Sequence, residues 1–113
     1  MLLNDNEKAA MAANSEAAEQ LLKLLANRHR LQILCRLVDG ELSAGDIEGS
    51  SDLSQSAVSQ HLAKMRTAGI VKAEKRGQMV YCRLASVEVS AILSTLYLIF
   101  CNKYDFTNTG ISV

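Results

Sequence analysis

Proline and tryptophan are missing from the 113 residues, and the aromatic side chains amount to three Tyr and two Phe. Without Pro, no position is barred from a helix by a fixed φ or a lost N–H, and abundant Ala and Leu then favour helix. Long apolar runs are also lacking. The longest charge-free one, 89–102, is shorter than the roughly 17–25 residues that a spanning helix needs. Met1-Leu2-Leu3-Asn4-Asp5-Asn6-Glu7 has neither the basic region nor the apolar core of a secretory signal, so a cytoplasmic protein is expected. Three Cys do not make a structural disulfide set in that compartment, and the odd number agrees. No nucleophile–base–orienter set, metal motif or phosphate loop stands out, so neither an enzyme nor a cofactor is expected. A hydrophobic content of 49% excludes a disordered chain, and the length fits one domain.

The formal charge is zero, which taken alone argues against a nucleic-acid partner. The distribution reverses that argument. Residues 1–53 carry five basic and nine acidic side chains. Residues 54–84 hold Lys64, Arg66, Lys72, Lys75, Arg76 and Arg83 against Glu74 alone, a net of +5. Within a Debye length of about 8 Å, local charge decides what a surface attracts.

Strong helix formers predict a first helix over 5–26, with residues 1–14 as a frayed extension and Asn14-Ser15 as an alternative cap. A second helix is expected from Arg28 to Asp39, with Leu31, Leu34, Cys35 and Val38 on one face and Gly40 as its C-cap. A short helix near Ser43–Glu48 follows. The turn Gly49-Ser50-Ser51-Asp52 leads to a helix capped by Ser54, running to about Thr67 and closed by Gly69. Ile70–Lys75 and Met79–Leu84 read as a hairpin with a basic tip at Arg76-Gly77-Gln78. A last helix spans Ser86 to about Tyr104, with an apolar stripe too wide for one small core. Residues 15–104 are thus expected as the folded domain and 105–113 as a loose tail. The fold class is mainly α with a small β-hairpin, in the order helix, helix, helix, helix, strand, strand, helix.

On the helix after Ser54, Val58, Leu62 and Met65 share the core face. The opposite face collects Ser56, Ser59, Gln60 and Ala63, with Gln55 and Arg66 at its edge. Polar helix faces usually just meet water. Here, however, the local charge, the preceding short helix and the basic hairpin all favour a winged helix-turn-helix on double-stranded DNA. The candidate DNA-binding residues are Ser54, Gln55, Ser56, Ser59, Gln60, His61, Lys64 and Arg66, with Lys75 and Arg76 reaching phosphate or minor groove. For His61 a structural or phosphate hydrogen bond is favoured over base reading. His29 is expected to be exposed or to pack at the start of its helix.

Leu53-Ser54-Gln55-Ser56-Ala57-Val58-Ser59-Gln60-His61-Leu62 resembles the recognition-helix signature of the ArsR/SmtB family of bacterial repressors. Asn27-Arg28-His29-Arg30-Leu31-Gln32-Ile33-Leu34 resembles the family's second helix, and Ala68-Gly69-Ile70-Val71 with Arg76-Gly77-Gln78-Met79-Val80-Tyr81 its wing. The resemblance covers roughly residues 15–102. It implies a homodimer, joined through the first and last helices, that binds an inverted-repeat operator and leaves it when an inducer arrives.

Many such repressors sense metals. The positions matching one metal site hold Ser43 and Gly45; those matching the other hold Ser86, Glu88, Ile99 and Asn102. One carboxylate is not a zinc site, so no metal is expected. Cys35 and Cys101, one on each of two helices expected to pack together, resemble the persulfide- and sulfide-responsive, BigR/SqrR-type branch. That resemblance implies a dithiol, reduced in the DNA-binding form, that reactive sulfur species bridge to release the operator. The chemistry asks for one thiolate of lowered pKa, with Arg30 and Arg36 near Cys35 and Lys103 near Cys101 as candidate cations. Each cysteine read alone is a small buried hydrophobe, and Cys82 is expected to be structural. A metal- or metalloid-responsive repressor, a peroxide or electrophile thiol switch and a constitutive architectural protein are the rival readings.

Overall fold

The computed structural model describes residues 2–101. Its elements are α1 (Asp5–Ala13), α2 (Ser15–Leu25), α3 (Arg28–Leu37), β1 (Leu42–Ser43), α4 (Ala44–Gly49), α5 (Gln55–Thr67), β2 (Val71–Arg76), β3 (Met79–Leu84) and α6 (Val87–Phe100). The expected first helix is two helices. Asn4 opens α1 with a capping box, accepting from Glu7 N–H at 2.8 Å while Glu7 Oε1 accepts from Asn4 N–H at 3.0 Å. At Asn14 the helix is interrupted. The Asn14 side chain turns back to donate to the Ala10 carbonyl at 2.8 Å and makes no cap for α2. Residues 5–13, expected as a frayed extension, are thus helical, although α1 buries none of its residues.

Asn27 caps α3 by accepting from His29 and Arg30 N–H. The buried face of α3 is Arg30, Ile33, Leu34 and Leu37, not the expected stripe. Cys35 and Val38 fall on the exposed side, because Ile33 and Leu37, not they, meet the core. Ser43, Ser54 and Ser86 cap α4, α5 and α6, each accepting an N–H three residues on. A two-residue turn, 77–78, closes the hairpin, and Gly77 has φ of 63°, the left-handed region that the first central position of a type II′ turn needs. Sequence periodicity gave no sign of β1, two residues long. It pairs antiparallel with β3 (Leu42↔Cys82, Ser43↔Tyr81), making β3 the centre of a β1-β3-β2 sheet. One core forms where α3, α4, α5, α6 and the sheet meet around Leu34, Ile47, Val58, Met65, Val71 and Val89.

Candidate nucleic-acid interface and thiol pair

Burial of Val58, Leu62 and Met65 fixes which side of α5 faces the core. The other side leaves Ser54, Gln55, Ser56, Ser59, Gln60, Ala63, Lys64 and Arg66 exposed, with α4 and the connecting turn placed as in a helix-turn-helix. Hydroxyls and amides on such a face match the donor and acceptor pattern of base edges in a major groove. His61 is set apart from this surface. It is half-buried, its ring 6.0 Å from that of His29, also half-buried. Its Nδ1 lies 3.2 Å from Arg30 Nη1. Arginine only donates, so Nδ1 accepts and the neutral ring carries its proton on Nε2. Burial first, then the charges of Arg30, His29 and Lys64, hold the His61 pKa below its ordinary value.

The wing departs from expectation at Arg76. Its guanidinium does not extend freely from the tip but takes Glu41 in a bidentate pair at 2.6 and 3.0 Å, with Glu74 at 3.0 Å. It also lies 4.7 Å from the centroid of the Tyr81 ring. Glu74 and Arg76, two apart on one strand, point to the same side, and β1 brings Glu41 alongside. The hydrogen bond from Arg76 is the main cause holding the Glu41 carboxyl below its ordinary range. Strand alternation made Glu74 findable from sequence. Glu41 had no local signal, because its place depends on β1. Lys75 is exposed, with no carboxylate at ion-pair distance among the described residues. Lys72 and Arg83, opposite each other in the β2–β3 register, line an open depression of about 590 Å³ together with Arg66.

Cys35 and Cys101 are free and exposed. Cys35 lines a groove of about 570 Å³ between α3 and α6, with Val38, Asp39, Leu93, Tyr97 and Leu98. Partial burial pushes the Cys35 thiol up, and the charge of Cys101 pushes it further. Of the two candidates for a thiolate of lowered pKa, Cys35 is shifted the other way. Its expected cations face elsewhere: Arg30 towards the Leu24 carbonyl and His61, Arg36 towards Ser50 Oγ and the Asp46 carbonyl. Lys103 lies outside the described residues. Cys82 is buried in the central strand, where burial raises its pKa.

At the positions matching metal ligands, Ser43 and Ser86 are spent as helix caps, and Asn102 lies outside the described residues. Among the described residues no three His, Cys, Asp or Glu side chains are grouped to hold an ion, and no helix is long and apolar enough to cross a membrane.

Residues 27–73 match the bacterial regulatory protein, arsR family. The transcriptional activator HlyU of Vibrio cholerae is 48% identical over 91 residues, covering 80% of this chain and 84% of HlyU. A structure of reduced HlyU from the same organism superposes with a TM-score of 0.77 at 47% identity, over 82% of this chain and 98% of that one. The transcriptional repressor BigR from Xylella fastidiosa gives 0.78 at 31% identity, over 85% and 98%. With a helix-turn-helix, a wing and these relatives in agreement, the chain belongs to the ArsR family, winged-helix transcriptional regulators that bind DNA operators, typically form dimers and are not enzymes.

Proposed function

We propose that the protein is an operator-binding repressor that senses reactive sulfur species through Cys35 and Cys101. Two exposed thiols carry this reading: Cys35 on α3 lines a groove with Tyr97 and Leu98 of the last turn of α6, and Cys101 is the C-cap of that helix. In the sensing step a thiol takes the outer sulfur of an organic persulfide, giving Cys–SSH and a free thiol. The second cysteine then attacks the inner sulfur, forming the disulfide and releasing hydrogen sulfide. Two Cys–SH and one persulfide thus become one disulfide, one thiol and one hydrogen sulfide. A bridge ties α3 to the end of α6. In a homodimer joined through its first and last helices, that shifts two reading heads that must span the roughly 34 Å between successive major grooves. Ser54, Gln55, Ser56, Ser59 and Gln60 read the groove, while Lys64, Arg66 and Lys75 hold phosphates.

Operator affinity of reduced and persulfide-treated protein at one salt concentration tests the reading, with peptide mapping of the bridge. Bridging is expected to weaken binding by about 5–150-fold. Equal affinities overturn it, and a bridge formed by peroxide but not by persulfide replaces sulfur with general redox sensing. HlyU is an activator, which favours a second reading in which the bound regulator raises transcription. A promoter fusion in a strain lacking the protein separates the two by the sign of the change.

A further inference from the structure

We propose that Arg30 is a positioning residue for the reading helix, tying the end of α2 to α5 through the Nδ1 acceptor of His61, and that operator specificity depends on this tie. The first turn of α3 holds Arg28, His29 and Arg30 and no acidic residue, although cations are disfavoured at a helix N-terminus. Arg30 is also only 9% exposed. Among the described residues no carboxylate lies at ion-pair distance from it. A buried, unpaired guanidinium is costly unless polar groups compensate it.

The compensation comes from another helix. Arg30 Nε donates to the Leu24 carbonyl at 2.6 Å and Nη2 to the Lys23 carbonyl at 3.4 Å, at the negative end of α2. That leaves Nη1 for His61, at 3.2 Å. One side chain, rooted in α3, therefore touches both α2 and α5. Among the described residues this is the only side-chain hydrogen bond joining α5 to another helix. Apolar burial of Val58, Leu62 and Met65 seats α5 on the core without directionality, whereas a hydrogen bond loses strength steeply with angle. Burial chooses the face of α5 that meets the core; the tie trims the rotation within that choice, and with it the placing of Ser56, Ser59 and Gln60.

The tie also has an off state. A proton on Nδ1 turns the acceptor into a donor facing a group that only donates. The charged and titratable groups acting on His61 are Arg30, His29 and Lys64, none of them a carboxylate that welcomes the proton. Acid therefore opens the tie. The added positive charge strengthens general attraction to DNA, so what falls is the ratio of operator to random-duplex affinity.

The test measures that ratio at fixed salt for a duplex selected by the wild-type protein from a random pool. For the wild type it is expected to be about tenfold lower at pH 5 than at pH 7.5. His61→Asn, whose amide oxygen accepts at either pH, keeps it constant. His61→Ala and Arg30→Lys lower it at pH 7.5, and the double variant loses no more than the worse single one. A ratio untouched by His61→Ala, or losses that add in the double variant, overturns the tie. Where Arg30→Lys does not fold, the His61→Asn and His61→Ala pair decides. The proposal rests on the reading-helix assignment, which fails separately: Gln60→Ala then leaves the ratio unchanged.

Discussion

Cys35 combines access with reluctance. It opens onto the groove between α3 and α6, yet burial and Cys101 both oppose its ionisation. Thiolate is the reacting form, so alkylation of Cys35 followed by mass spectrometry is expected to speed up through pH 9 without levelling off. A plateau near pH 7 would mean that a cation does activate it. His61 titrates in the opposite sense. Its folded pKa lies below the roughly 6.5 of the unfolded chain, so the unfolded state takes the proton first. Its contribution to stability is complete above about pH 6.5 and falls as the pH drops towards the folded value. Urea unfolding at pH 7.5 and 5.5 should show this loss, and His61→Asn should remove it. At Arg76, Glu41 and Glu74 occupy a cation that the sequence offers to DNA. Glu41→Gln is expected to tighten binding to random duplex and to steepen its salt dependence by about 0.9 in log–log slope, one phosphate contact. An unchanged slope would place Arg76 away from DNA.

Elements with strong local grammar were legible in the sequence. The Ser caps at 43 and 54, the 3.6-residue spacing of Val58, Leu62 and Met65, and Gly77 between two β-rich runs each state one structure locally. What depended on distant partners was not. β1 exists because β3 has a free edge, and Glu41 reaches Arg76 only through that pairing. The break at Asn14 was half visible, since an Asn can serve either side of such a junction; its side chain serves α1. The face of α3 was misread by one position because Leu31 and Cys35 look as apolar as Ile33 and Leu37. That error mattered most, since the face that is in fact buried leaves Cys35 open to reagents. For α5 the exposed Ser and Gln face stands as read, and it carries a sharp expectation. Gln60→Ala should cost about 1–3 kcal/mol on the operator, with affinity for random duplex unchanged. An equal loss on both duplexes would make Gln60 a backbone contact.

For the whole molecule the question is what covers α6. Val87 is 82% and Phe100 69% exposed, with Tyr97 and Leu98 also open, and Met11 and Leu22 are bare on the N-terminal helices. So many large apolar side chains left open ask for a cover, and regulators of this family typically form dimers. A two-fold contact through the first and last helices would bury these residues against their own copies. Phe100 is also the residue next to Cys101, so the proposed bridge pulls on the apolar end of α6. Two properties should therefore be lost together. Phe100→Asp is expected to be monomeric by light scattering at micromolar concentration and to bind the operator weakly. In the proposed mechanism bridging moves one reading head relative to the other, so reduced and bridged Phe100→Asp should bind a single half-site alike. A monomeric variant that still discriminates between the two redox states would mean that the bridge acts within one subunit, through α3 onto α5, and the dimer would then serve affinity alone.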